Sequence, residues 1–282
     1  MIRKTFHVQN NSNEPINIDL RHREDAHEAP AVILVHGFKG FKNWGFFPDL
    51  ADRLTMAGYV TITPNFSRNG IGYDFNTFEK LDEFAENTHT HELEDLQKVI
   101  DNIKEEKIGK RVIDTERLAL FGHSRGGGTA ILKAAELGDD IKCLVTWASL
   151  ATFFRYSNDQ IKQWKKDGFI EIENSRTKQM MRINKNYWDD LNKNKKRFDI
   201  LKAAEELENP SLFIHGQNDE TVSYEDSEQL HEKCSAYVKR IELIENSGHT
   251  FGIPHPIQKP TDEYLTAVEL TEHWFDNYLN VL

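Results

Sequence analysis

A serine between two glycines, Gly122-His123-Ser124-Arg125-Gly126, stands where an apolar run at 118–121 gives way to a small-residue segment at 127–137. Serine is a weak nucleophile at neutral pH, so chemistry at its hydroxyl needs a base within hydrogen-bond reach. Histidine suits that role because its ordinary pKa lies near working pH. The imidazole in turn needs a carboxylate to fix its tautomer and stabilise its cation. Two later segments supply these residue types, His215-Gly-Gln-Asn-Asp219-Glu220-Thr-Val222 and Glu245-Asn-Ser-Gly-His249. Ser124, His249 and Asp219 are therefore candidates for attack, proton transfer and orientation, the three parts of acyl transfer. Asp219 is preferred to Glu220 because its side chain comes earlier in the turn, closer to the preceding apolar run.

Such a serine must be delivered by a buried strand to a tight turn, where only glycine at 122 and 126 avoids clashes beside it. The helix that follows, expected over 127–137, points its unpaired N–H groups and positive dipole end at the same spot. Elsewhere the unbroken apolar run 31–35 reads as a strand buried on both faces and ends in His36-Gly37-Phe38-Lys39-Gly40. Further strands are expected at 59–63, 142–147, 211–214 and 239–244, with an edge hairpin from 2–8 and 14–20. Helices are expected from Pro48 to Gly58, over 90–105, after a Ser223 cap, and over 261–278, the last burying Leu265, Val268, Trp274, Phe275 and Tyr278. A long aromatic-rich loop is expected over 65–87. Strands alternate with helices from residue 30 onward, the pattern of an α/β fold whose mostly parallel, doubly wound sheet binds ligands at the strands' carboxyl ends.

Three features bound the rest. With 282 residues, 38% hydrophobic content and no repeats, the chain is expected to form one core, 1–150 with 206–282. Residues 151–205 break the pattern with thirteen Lys or Arg against eight Asp or Glu and many aromatics, and read as an inserted cap with a hairpin over 169–182 turning at Asn174-Ser175. Following the strand at 142–147, the cap emerges on the face of Ser124. Its Phe153, Phe154 and Trp164 are candidates for substrate contact. A net charge of -11 argues against nucleic acid and membrane as partners. Cys143 and Cys234 are too few for a disulfide framework and read as reduced core or near-core residues. No stretch reads as a signal peptide or membrane span, so a cytoplasmic protein acting on a small molecule is expected, with a homodimer left open. His89 and His91, two apart, do not share a helix face, so no metal is expected there, and acyl transfer through serine requires no cofactor.

The motifs Phe-Ile-His-Gly-Gln-Asn-Asp-Glu-Thr-Val, Leu-Val-His-Gly-Phe-Lys-Gly and Gly-His-Ser-Arg-Gly-Gly, in the chain order serine, acid, histidine, resemble the α/β-hydrolase superfamily. The likeness is particularly to its dienelactone-hydrolase-like and prolyl-oligopeptidase-like esterases, from about residue 30 to the end. The insert is similar to the small lids of bacterial cinnamoyl and feruloyl esterases. The resemblance implies an α/β-hydrolase fold with a small cap, an oxyanion hole made by the backbone N–H groups of Phe38 and Arg125, and a carboxylic ester hydrolase. Dienelactone hydrolases proper carry cysteine where this chain has Ser124. Because the large propeller that accompanies prolyl-oligopeptidase-type catalytic domains is missing, an ester is expected over an amide. A small-peptide serine peptidase and a thioesterase remain as alternatives, while a non-catalytic binding protein is disfavoured because all three candidate residues are present.

Overall fold

Apolar runs become strands and amphipathic stretches become helices, and from residue 29 onward strands of the main sheet are separated by helices. In the computed structural model, which describes residues 1–72, 74 and 76–280, the order begins β1 (Ile2–Gln9), β2 (Pro15–His22), β3 (Ala29–Val35), α1 (Phe47–Met56), β4 (Val60–Asn65), α2 (Leu81–Ala85) and α3 (His89–Lys104). It continues β5 (Ile113–His123), α4 (Arg125–Leu137), β6 (Cys143–Trp147), α5 (Asn158–Asp167), β7 (Phe169–Glu173), β8 (Met180–Asn184), α6 (Lys185–Lys193) and α7 (Ile200–Glu205). Then come β9 (Ser211–Gly216), α8 (Glu225–Lys233), β10 (Lys239–Ile244) and α9 (Asp262–Tyr278).

Eight strands form one sheet in the order β1-β2-β4-β3-β5-β6-β9-β10. The β1–β2 and β2–β4 pairs are antiparallel, and every other pair is parallel. From β3 the chain first steps outward to β4, then returns to place β5 on the other side of β3. The carboxyl ends of β3 and β5 therefore flank the point where strand order reverses, the place such sheets bind ligands. This is the α/β-hydrolase fold. Alternation explains the unbroken apolar runs: Ile33, Val35, Leu118 and Leu120 face one core with α3 and α4, while Val32, Leu34, Ala119 and Phe121 face a second core with α1 and α9.

Several local expectations need adjustment. The strand at 118–121 is the end of the longer β5. The long loop contains α2 and an isolated bridge between Ile71 and Phe78; its positions 73 and 75 lie outside the described residues. The N-cap of α8 is Tyr224, not Ser223. In α9, Leu265 is exposed and Tyr278 half-buried, and the packed face runs through Tyr264, Ala267, Val268, Thr271, Trp274 and Phe275. The expected Val268, Trp274 and Phe275 are buried, so the apolar pattern placed this helix and most of its packed face correctly and missed at Leu265 and Tyr278.

Between β6 and β9 the chain leaves the sheet. There β7 and β8 pair antiparallel as a separate two-stranded sheet, and the turn spans 174–179 instead of the expected two residues because the Asn174 side chain accepts the Arg176 N–H, 3.1 Å, and the 174–179 backbone closes on itself. Trp164 of α5 is fully buried, donates from Nε1 to the Ile183 carbonyl at 2.8 Å, and stacks on Trp188. A capping box of Ser157 and Gln160 starts α5, and Gly168, left-handed at φ 81°, ends it. Polar contacts tie this segment to the body: Gln179 Nε2 donates to the Phe78 carbonyl at 2.9 Å, and Thr90 Oγ1 to Asp190 at 2.6 Å. At its end, α7 packs on α4 and α8 of the body.

Candidate active site

The turn after β5 is as tight as its glycines suggest. Ser124 has φ 58° and ψ -123°, a conformation costly for a residue with a side chain and held here by its surroundings. Its N–H donates to the Trp147 carbonyl at 2.9 Å, and its own carbonyl accepts from Gly127 at 2.9 Å. A Cβ at Gly122 would lie 2.3 Å from the Gly126 carbonyl oxygen, and one at Gly126 would lie 2.3 Å from that of Val35. Both glycines are therefore required by the close approach of β3, β5 and α4.

The loop after β3 lies directly against this turn. A Cβ at Gly37 would meet Ser124 Cβ at 3.0 Å and Arg125 N at 3.4 Å, which puts the backbone leading into Phe38 beside the serine. Arg125 opens α4, so its N–H has no carbonyl partner within the helix. The loop is anchored from behind, where Lys42 N–H donates to Asn65 Oδ1 at 2.7 Å and Lys42 Nζ pairs with buried Asp19 at 2.6 Å.

Asp219 and His249 meet across two loops. His249 Nδ1 lies 2.7 Å from Asp219 Oδ2, with the aspartate side chain fully buried and the histidine 18% exposed. Asp219 Oδ1 accepts the backbone N–H groups of Thr221 and Val222 at 2.8 and 2.9 Å. Burial pushes its carboxyl upward, but hydrogen bonds from His215 and His249 outweigh this and hold its pKa well below the usual carboxylate range. Glu220 is exposed.

Two further histidines complete the arrangement, and neither was singled out from sequence. His215 is buried, with Nε2 3.1 Å from Asp219 Oδ2 and 3.0 Å from the Val222 carbonyl, and Nδ1 2.7 Å from Ser227 Oγ. A proton on Nε2 satisfies both oxygens and leaves Nδ1 to accept from the Ser227 hydroxyl. His123, next to Ser124, sits with Nε2 2.9 Å from the His249 carbonyl. Burial and the neighbouring His249 drive His123 down to about 3, so it is neutral and donates to that carbonyl. The visible signals were the four-residue spacing of His215 from Asp219 and the adjacency of His123 to the serine.

The guanidinium of Arg125, the residue after Ser124, is buried 4.1 Å over the Phe38 ring, 5.3 Å from the Tyr187 ring and 3.5 Å from Glu92. Asn87 donates to Glu92 at 2.9 Å, and His89 Nε2 meets the Tyr187 hydroxyl at 2.7 Å. Burial raises the Glu92 carboxyl, but Arg125 overcomes it and brings its pKa to about 2. Phe38, Phe84, Asn87, Arg125, Ile183 and Tyr187 line a small, partly open cavity of about 10 Å³. Of the insert's three expected contact residues, none lines this cavity. Phe153 is buried against His89 at 3.7 Å, Trp164 lies in the insert's own core, and Phe154 packs on Trp188. A roomier depression of about 260 Å³ lies far down α4 among Leu132, Arg197 and Lys202, so size does not mark the site. Among the described residues there is no cluster of three or more His, Cys, Asp or Glu able to hold a metal, and no helix long and apolar enough to cross a membrane.

The sequence model of the prolyl oligopeptidase family matches residues 47–281. No curated protein matches the chain. Among solved structures, Est1E from Butyrivibrio proteoclasticus with ferulic acid bound is 17% identical, with a TM-score of 0.73 over 98% of this chain and 100% of that one. A soluble variant of the monoglyceride lipase of Saccharomyces cerevisiae, in complex with a substrate analogue, is 17% identical with a TM-score of 0.74 over 100% and 97%. A dienelactone hydrolase from Anabaena variabilis is 16% identical with a TM-score of 0.62 over 99% of each chain. At these identities the likeness shows a common fold.

Proposed function

The chain belongs to the prolyl oligopeptidase family, and from that premise we propose that it is a serine hydrolase that cleaves carboxylic esters through an acyl-enzyme on Ser124. The observation that carries the reading is the 2.7 Å bond between His249 Nδ1 and buried Asp219, which leaves Nε2 free to act as a base. The strained turn that presents Ser124 supports it. Ser124 Oγ attacks the ester carbonyl carbon while His249 Nε2 takes its proton. The carbonyl oxygen, now negative, is held by the N–H groups of Phe38 and Arg125. His249 then gives the proton to the departing alkoxide, and the alcohol leaves. Water attacks the acyl-enzyme with His249 again taking the proton, and the acid is released with Ser124 restored. Asp219 remains a carboxylate throughout, steadying the imidazolium.

The segment 151–205 acts in this reading as a cap over the site, though its last helix packs on the body. The substrate is a small molecule, a choice supported by the ferulic acid and substrate analogue bound in two of the similar structures. The second reading, a peptidase for small peptides, is favoured by the family match itself; a matched ester and amide with the same acyl group separate the two. The test of the whole proposal is fluorophosphonate labelling with ester turnover. Wild-type protein should be labelled at Ser124, and Ser124→Ala should lose labelling and nearly all turnover, by a factor on the order of 10³ or more. Undiminished hydrolysis in purified Ser124→Ala would sink it.

A further inference from the structure

We infer that the Arg125 side chain is a positioning residue for the oxyanion site: by clamping the Phe38 ring it holds the Phe38 N–H in register with the Arg125 N–H. This rests on the hydrolase reading above, which assigns those two N–H groups to the developing negative charge. The two halves of such a site are not equally fixed. Arg125 is the first residue of α4, and that helix is locked against the sheet by the close approach of Gly126 to the Val35 carbonyl. Phe38 is half-buried in the loop after β3, followed by a left-handed Lys39 at φ 57°. The turn is closed by the Gly40 N–H donating to the Gly37 carbonyl at 3.0 Å, a bond that spans Phe38 without engaging it. The Phe38 ring is therefore the handle by which this half can be held.

That handle is gripped. The Arg125 guanidinium carbon lies 4.1 Å from the centre of the Phe38 ring, well inside the range of a cation–π contact. Phe84 meets the same ring at 5.5 Å. A guanidinium free to swing would hold nothing, but this one is fixed from two further elements. Glu92 of α3 pairs with it at 3.5 Å, and the ring of Tyr187 from α6 lies 5.3 Å away. These partners are themselves tied, Glu92 by Asn87 at 2.9 Å and Tyr187 by His89 at 2.7 Å. Moving the guanidinium off Phe38 would leave Glu92 buried and charged without its partner.

Local chemistry disfavours an arginine at this position. Its charge sits at the positive end of the α4 dipole, and burial strips its water. The contacts that offset both effects run from α3 and the insert to the loop beside Ser124. Each of them bears on the guanidinium, and the guanidinium bears on Phe38.

The experiment measures kcat and KM for p-nitrophenyl acetate together with inhibition by an alkyl trifluoromethyl ketone. Ser124 Oγ adds to the ketone carbon, His249 takes the serine proton and the carbonyl electron pair becomes an oxyanion, so this inhibitor reads the oxyanion site without turnover. Two variants keep both backbone N–H groups and break the clamp from opposite ends. Phe38→Leu removes the ring, and Arg125→Met combined with Glu92→Gln removes the cation without stranding a charge. Acylation and deacylation both pass through an oxyanion, so each variant should lower kcat about 10-fold with KM within roughly twofold of wild type, and weaken the ketone by the same factor. Phe38→Tyr, whose ring offers the same face, should recover most of the loss. Combining all three substitutions should cost little more than either variant alone, because they remove one contact. Losses that multiply overturn the clamp, as does a kcat that falls while ketone affinity holds, or a Phe38→Leu protein that matches wild type in both. If the Arg125 variant does not fold, Phe38→Leu beside Phe38→Tyr decides alone. Wild-type protein with neither fluorophosphonate labelling at Ser124 nor ester turnover overturns the hydrolase reading, and the clamp with it.

Discussion

Replacing Asp219 by asparagine tests the arrangement at its tightest point. The carboxylate accepts four hydrogen bonds, two from backbone N–H groups at Oδ1 and two from histidine rings at Oδ2. An asparagine must put its NH2 against one of these pairs. Against Thr221 and Val222 it would face two backbone donors that have no alternative, each a cost of about 1–3 kcal/mol. Against the histidines it is tolerated, because an imidazole can change tautomer. His215 resists that change, since its Nε2 proton also serves the Val222 carbonyl. His249 therefore yields: its Nδ1 becomes the acceptor and its proton moves to Nε2, the atom that receives the proton of Ser124 in the proposed mechanism. The expected loss in kcat is on the order of 10³ to 10⁴-fold, or about 4 to 5.5 kcal/mol, with KM little altered. Steady-state hydrolysis of p-nitrophenyl acetate, run beside Glu220→Gln as the neighbouring control, measures it. Activity of Asp219→Asn within about threefold of wild type, or equal damage from Glu220→Gln, would refute the reasoning.

His123→Phe keeps the ring packing and removes the 2.9 Å hydrogen bond to the His249 carbonyl, so kcat should fall about tenfold with KM nearly unchanged, and His123→Gln should recover part of it. Because His123 is driven to about 3, neither variant should alter the shape of the pH–rate profile above pH 5; a shifted profile counts against a purely positioning role. Glu92 is an acid depressed on folding from its ordinary 4.5 to about 2, so its contribution, roughly 3 kcal/mol, is fully present above pH 4.5 and fades as pH falls toward about 2. Urea unfolding should accordingly show Glu92→Gln destabilised at pH 7 and the gap to wild type narrowing by pH 3; a gap that widens on acidification contradicts the pairing with Arg125.

Much of this molecule is legible in local sequence. Runs such as 31–35 and 118–121 have no other stable place than a strand covered on both faces, and two glycines around Ser124 point to a tight turn because backbone must pass within contact distance there. The order of strands and helices follows, and with it the strand ends where Ser124, Asp219 and His249 emerge. What tertiary structure alone decided is where side chains point once those ends are fixed. Asp219 and His249 are 30 residues apart, and His123 reaches a carbonyl 126 residues away. The insert shows the same limit: Phe153 and Trp164 have the aromatic character of pocket residues, yet they are spent on packing, while Tyr187 and Ile183 take the cavity wall. Composition cannot separate those roles, because burying an aromatic ring is favourable in either place, and the choice depends on which face of each helix the neighbouring layers leave open.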